Sequence, residues 1–249
     1  MAKAMLIDTS NCLYCNACTV ECKRENNVVV GRDIFWTRMD LHEVGQYPNV
    51  RQYFIKRACN HCTQAACVDV CPTGALYHHP DGFVVLDQAK CNGCGYCSQA
   101  CPFHIPQLDV VNPLTGQAKS NKCTFCVQRT ANGGATACSM ACPFGAITFG
   151  DRDELIAKGK ERVAALQARG VSKARLYGEN EMGGLHVLYV LEEEPEVYGL
   201  PANPQYPALA NVWQKIIQPL GNVTLGATLL GILGAFLFVR RKIRIEEVR

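Results

Sequence analysis

Apolar residues fall along this 249-residue chain in short bursts, with one long exception. Ala4-Met-Leu-Ile7 predicts a short strand, since four to eight apolar residues suit a strand better than a helix. In residues 23–58 the aromatics Phe35, Trp36, Tyr47, Tyr53 and Phe54 are too many for a linker. Strands and loops with these rings packed in the core are expected there. Ala75-Leu-Tyr77 and Phe83-Val-Val-Leu86 flank His78-His-Pro-Asp-Gly82, the pattern of a β-hairpin. From Asp151 the period becomes helical: Asp151 and Glu154 make a capping box, Leu155, Ile156, Val163 and Leu166 keep one face, and Gly170 ends the helix. Residues 174–177 and 185–191 then read as strands, the second buried on at least one face. A proline-rich loop over 192–207 leads to a short helix around Trp213. The long exception is 220–239, an uncharged stretch of about 20 residues, which as a helix spans about 30 Å, enough to cross a bilayer.

Sixteen cysteines are the outlying feature of the composition, and they are clustered. The first run is Cys12, Cys15, Cys18 and Cys22, with Lys23 where the other runs have proline. The second is Cys59, Cys62, Cys67 and Cys71, then Pro72; the third is Cys91, Cys94, Cys97 and Cys101, then Pro102. The fourth is Cys123, Cys126, Cys138 and Cys142, then Pro143, with a longer middle gap. A disulfide framework does not suit cysteines three residues apart in tight loops of a chain this long. Structural zinc uses paired Cys-x-x-Cys units, whereas three cysteines at two-residue gaps match three corners of a 4Fe–4S cube. Sixteen thiolates divide into four such clusters with none missing.

In two-cluster ferredoxins the fourth cysteine of each run serves the other run's cluster. The long segment between runs one and two, and the short one between two and three, favour nested pairing. Set one is then Cys12, Cys15, Cys18 and Cys142; set two is Cys22, Cys123, Cys126 and Cys138. Set three is Cys59, Cys62, Cys67 and Cys101; set four is Cys71, Cys91, Cys94 and Cys97. The fold expected is α+β, with two ferredoxin-like two-cluster domains related by an internal repeat and a transmembrane helix at the C-terminus. Residues 1–58 with 111–150 form the first domain, 59–110 the second, 151–207 a helix and strand extension, and 208–249 the anchor. The repeat shows outside the cysteines too, as Cys71-Pro-Thr-Gly-Ala-Leu and Cys142-Pro-Phe-Gly-Ala-Ile.

A net charge of +3 is too weak to point to nucleic acid. No nucleotide loop, flavin fingerprint or nucleophile constellation is present, so the chain carries electrons rather than catalysing. His61 and His104 lie near cluster cysteines, where packing or hydrogen bonding is expected because the thiolate sets are complete. Lys122, next to Cys123, is expected on the surface. Arg240, Arg241, Lys242 and Arg244 follow the span and only Lys215 lies close before it. By the positive-inside rule the C-terminus is cytoplasmic and the cluster-bearing part lies outside, in the periplasm. Gly226, Gly231 and Gly234 leave room for a partner helix. Residues 4–7 are too short for a signal-peptide core, so export with a signal-bearing partner is expected.

The runs Cys91-Asn-Gly-Cys-Gly-Tyr-Cys-Ser-Gln-Ala-Cys-Pro-Phe-His-Ile-Pro106 and Lys122-Cys-Thr-Phe-Cys126 resemble the iron–sulfur subunits of the molybdopterin oxidoreductase group. Gly145-Ala-Ile-Thr-Phe-Gly150, Leu166-Gln-Ala-Arg-Gly170, Gly183-Gly-Leu-His-Val-Leu-Tyr-Val190 and Tyr198-Gly-Leu-Pro201 are similar to the beta subunit of membrane-bound respiratory formate dehydrogenase, of the formate dehydrogenase-N type. That resemblance implies a catalytic subunit with a molybdenum or tungsten bis-pterin, a cytochrome b-type membrane subunit that reduces quinone, and a heterotrimer open to higher assembly. The rivals are the equivalent subunit of a membrane-bound hydrogenase or another molybdopterin enzyme, a zinc-binding structural membrane protein, and a soluble ferredoxin-like carrier.

Overall fold

A computed structural model describes residues 2–212 and 216–242, and the chain divides into two units, Met1–Pro207 and Ala208–Arg249. In the first unit, strands β1 (Lys3–Asp8), β2 (Thr37–Gln46), β3 (Asn49–Ala58), β4 (Leu76–His78) and β5 (Val84–Leu86) are followed by β6 (Gln107–Asn112), β7 (Gln117–Asn121), β8 (Ile147–Asp151), β9 (Arg175–Tyr177) and β10 (Val187–Leu191). Among them lie helices α1 (Ala17–Glu25), α2 (Ala66–Asp69), α3 (Tyr96–Ala100), α4 (Val127–Thr130), α5 (Ala137–Met140) and the long α6 (Arg152–Ala168).

One sheet organises the unit, in the order β8-β1-β10-β9, with β1 and β10 parallel and the two flanking pairs antiparallel. Its two faces do different work, and the period-2 alternation of β1 and β10 decides which residue serves which face. Ala4, Leu6, Leu188 and Val190 point to α6 and pack with Leu155 and Leu166. Met5, Ile7, Val187, Tyr189 and Leu191 point to the other side, where they pack with Cys18, Phe125 and Cys138. Two-sided burial explains why 187–191 is continuously apolar rather than alternating. Residues 151–207 thus share one sheet and core with the N-terminal strand.

The helix does more than cover a face. Gly159 sits where a Cβ would lie 2.7 Å from Leu176 Cδ1, so α6 packs close to the sheet. Arg162 of α6 donates to Asp8 Oδ2 at 2.7 Å, Ser10 Oγ at 2.9 Å and Asn11 Oδ1 at 3.1 Å. These bonds fix the turn that leads into Cys12. The capping box is absent: the Asp151 carboxylate accepts from Lys3 Nζ at 2.8 Å instead of capping α6. The β1–β8 register sets Lys3 opposite Asp151 and offers the carboxylate a cation.

Three two-stranded hairpins, β2–β3, β4–β5 and β6–β7, complete the unit. Of the aromatics in 23–58, Tyr53 packs edge-on against Tyr198 and Phe54 stacks on Tyr14. Tyr47 departs from expectation. It sits at the tip of the β2–β3 hairpin and is 93% exposed, because the strands outrun the core that could cover their turn.

The second unit carries α7 (Ala208–Val212) and α8 (Gln218–Lys242). Within α8, Pro219–Arg240 has a mean hydropathy of 1.9 over its most apolar window and is long and apolar enough to cross a membrane. Trp213, Lys215 and Arg244 lie outside the described residues.

Candidate metal centre

The cysteine runs share a backbone device. The residue just before the second cysteine takes a left-handed conformation in each run: Tyr14 (φ 55°), His61 (φ 49°), Gly93 (φ 77°) and Phe125 (φ 61°). That conformation is costly for a residue with a Cβ, so its recurrence shows four loops wound to the same shape. The winding turns sulfurs three residues apart toward one side. After the fourth cysteine of the three Cys-Pro runs the chain turns again at Gly74 (φ 63°), His104 (φ 52°) and Gly145 (φ 61°). Run one has Lys23 in place of proline, and there α1 continues past Cys22 to Glu25.

The sixteen cysteines gather in groups that draw on distant parts of the chain. Cys12, Cys15, Cys18 and Cys142 line a cavity with Ile7, Met39 and Lys56. Cys22, Cys123, Cys126 and Cys138 line another with Asn26, Trp36 and Thr136. Cys71, Cys91, Cys94 and Cys97 line a third with Leu86 and Ser120. Cys59, Cys62, Cys67 and Cys101 are close enough that Cys59 and Cys101 raise the pKa of Cys62 and Cys67. Among the described residues no three such side chains converge on an ion-sized point; the sulfurs surround a larger space.

The groups also abut in sequence-independent order. Cys18 of set one and Cys138 of set two lie in one buried core cluster, and Cys123 of set two shares a small apolar cluster with Cys59 of set three. Cys97 of set four bears on Cys67 of set three. The two outer sets each hold an exposed cysteine, Cys15 and Cys94.

Burial dominates the thiol chemistry. It pushes Cys22 up to about 11 and raises Cys62 and Cys123 well above the ordinary thiol range. Burial likewise lifts Cys101 to about 11, although the amides of Phe103, His104 and Ile105 oppose it. At Cys71 burial is outweighed by the amides of Leu76, Thr73 and Ala75 and the Thr73 hydroxyl, and the pKa falls. Buried thiols of this kind become thiolates when a metal supplies the compensating charge. The donor set, four sulfurs around each space, fits a 4Fe–4S cluster and does not suit a hard cation that prefers oxygen.

Further groups meet the sulfurs. Ser120 donates its amide to Cys91 Sγ at 3.4 Å and places its hydroxyl 3.4 Å from Cys97 Sγ. Asn26 Nδ2 reaches Cys22 Sγ at 3.7 Å, and the Phe125 amide donates to Cys123 Sγ at 3.4 Å. His61 does take a packing and hydrogen-bonding place, with Nδ1 2.9 Å from Val84 O and its ring 4.8 Å from that of Phe125, whereas His104 is exposed.

Lys122 is a correction. It is fully buried, and its Nζ donates to Val84 O and Cys123 O, each at 2.8 Å. The two carbonyls replace its water shell, which makes the interior position tenable. Lys56 was not singled out at all; it is 1% exposed on β3. Its only sequence signal is a place three residues before Cys59, in a strand whose neighbours Ile55 and Ala58 are apolar.

Four wound loops and four groups of sulfurs define an iron–sulfur electron carrier. A family model described as a 4Fe-4S dicluster domain matches residues 50–152. The formate dehydrogenase iron–sulfur subunit of Haemophilus influenzae is 36% identical over 255 residues, covering 95% of this chain and 80% of that one. The formate dehydrogenase-O iron–sulfur subunit of Escherichia coli is 38% identical over 243 residues, covering 90% and 79%. The nitrate-inducible formate dehydrogenase iron–sulfur subunit of the same organism is 36% identical over 248 residues, covering 92% and 83%. The chain belongs to the family of formate dehydrogenase iron–sulfur subunits.

Proposed function

We propose that this chain conducts electrons from a molybdenum or tungsten bis-pterin formate dehydrogenase subunit to a cytochrome b-type membrane subunit and quinone. It has no catalytic site of its own. The observation that carries this reading is the gathering of twelve of the sixteen cysteines around three separate cavities, as sets one, two and four, together with membership of the family. Each set would hold one 4Fe–4S cluster, which when bound supplies one-electron transfer. The residues divide the task. The left-handed loops aim the sulfurs, Ser120 and Asn26 hydrogen-bond them, and Met5, Phe125 and Leu185, each at 0% exposure, keep water from the inner sets. Burial and sulfur hydrogen bonds are two of the factors that set cluster potentials.

The order in which the sets abut, one beside two beside three beside four, supports a single path whose ends lie at Cys15 and Cys94. The common loop conformation supports an origin of the runs in an internal repeat. Two ferredoxin-like domains, 1–58 with 111–150 and 59–110, follow from that nested arrangement. The complex purified from detergent-solubilised membranes is expected to be brown and to bleach on anaerobic addition of formate. A colourless preparation would favour zinc, and a brown one that bleaches only with dithionite would place the chain with another oxidoreductase.

The helix Pro219–Arg240 would anchor the chain in the inner membrane by a single pass, its basic end inward and the first unit in the periplasm, exported with its partner. A fluorescent protein fused after Arg249 is then expected to fluoresce, and alkaline phosphatase at the same place to be inactive. The opposite pair of results would reverse the topology.

A further inference from the structure

Lys56 stands in a place where a lysine is costly. Its side chain comes off β3, cross-strand from Met39, and ends in the interior at 1% exposure. Among the described residues its Nζ has no hydrogen-bond partner. Lys122 is as deeply buried but spends its ammonium protons on two carbonyls. An orphaned ammonium out of water is unfavourable by several kcal/mol unless an opposite charge lies close by. The groups around it supply that charge. Lys56 lines the same cavity as Cys12, Cys15, Cys18 and Cys142 of set one. Its side chain thus ends against the sulfurs of set one, which are thiolates once a cluster is bound.

We propose that Lys56 is the counter-charge of set one, its ammonium raising the reduction potential of that cluster. This rests on the cluster reading above. A cluster held by four thiolates is net negative, and taking up one electron makes it more so. A fixed positive charge in a dry, low-dielectric position favours the reduced state more than the oxidised one. The lysine would influence set one by its charge, while Ser120 acts on set four through bonds to individual sulfurs.

The test is a potentiometric titration followed by EPR on the complex purified in detergent, comparing wild type with Lys56→Met, Lys56→Gln and Lys56→Arg. Methionine keeps the length and removes the charge; arginine keeps the charge. In the two neutral variants, one of the four potentials is expected to fall, by at least a tenfold change in the reduction equilibrium, or 59 mV for a one-electron couple. The set four potential is expected to stay in place, and arginine is expected to restore the wild-type pattern. Unchanged potentials in a fully loaded Lys56→Met complex would overturn the proposal, as would equal shifts in the Met and Arg variants. If neither neutral variant assembles its clusters while arginine does, the charge is required and the proposal stands; if all three fail, the lysine serves packing and the proposal falls. Should wild type itself lack 4Fe–4S signals, the cluster reading fails first.

Discussion

Serine at Cys67 is expected to stop formate-to-quinone electron flow in the assembled complex, by at least about 100-fold, the upper end of what loss of even an outer-shell partner costs a metal site. Cys67 belongs to set three, which abuts set four through Cys97 and meets Cys123 of set two through Cys59. On the proposed path from Cys15 to Cys94, a break at set three leaves no way round. Iron content is expected to fall by one cluster while artificial-dye reduction by the catalytic partner continues. Full quinone turnover in a variant shown to lack that cluster would place set three off the path.

Valine at Gly93 is the second large effect. Gly93 has φ +77° and a Cβ there would lie 2.3 Å from the Ala118 carbonyl oxygen, a backbone atom that cannot swing aside. The left-handed conformation costs a residue with a Cβ roughly 1–2 kcal/mol, and forcing atoms into a filled space adds about 1–3 kcal/mol. The loop of set four is therefore expected to open and lose its cluster, leaving sets one to three loaded. Gly74→Ala is the control: it shares a left-handed φ of +63° but has nothing within 4 Å of the added Cβ. That variant is expected to keep all its iron. Equal losses from the two substitutions would show that backbone conformation, not the approach of Ala118, governs the loop.

Much of the fold was legible because short-range patterns carry it. Strand β1, the β4–β5 hairpin, α6 and strands β9 and β10 all follow from apolar runs and turn residues within a dozen positions. The role of β10 was only half legible. Its apolar run signals burial on at least one face, but nothing local says that both are covered, one by α6 and the other by the cysteine loops. Tyr47 misled for a related reason: an aromatic in an apolar segment reads as core, and only the length of the β2–β3 hairpin takes it away from the core. The Asp151 pattern misled because a capping carboxylate has a second possible partner, and Lys3 lies 148 residues away in sequence.

The centre divides in the same way. Spacing of three between cysteines restricts the sulfurs to one loop, so the runs announce themselves. The groups that touch those sulfurs do not. Ser120 reaches Cys91 across 29 residues and Cys97 across 23, and no local pattern marks a serine for that task. Lysine in a strand reads as solvent-facing, since lysine is rarely fully buried without a partner. Lys56 and Lys122 are interior because the set one sulfurs around the first and the Val84 carbonyl at the second come from distant segments. Polar residues at a metal centre are chosen by tertiary contact, and single-sequence reading finds the ligands before it finds what tunes them.

An anaerobic crystal or electron-microscopy structure of the intact complex, with iron located directly, tests whether four 4Fe–4S clusters sit in nested sets with Cys71 and Cys101 exchanged between runs two and three. Four cubes are expected, with Cys71 bound to the cluster of Cys91, Cys94 and Cys97, and Cys101 to that of Cys59, Cys62 and Cys67. Cys71 bound beside Cys59, or a single zinc ion in any set, would contradict it.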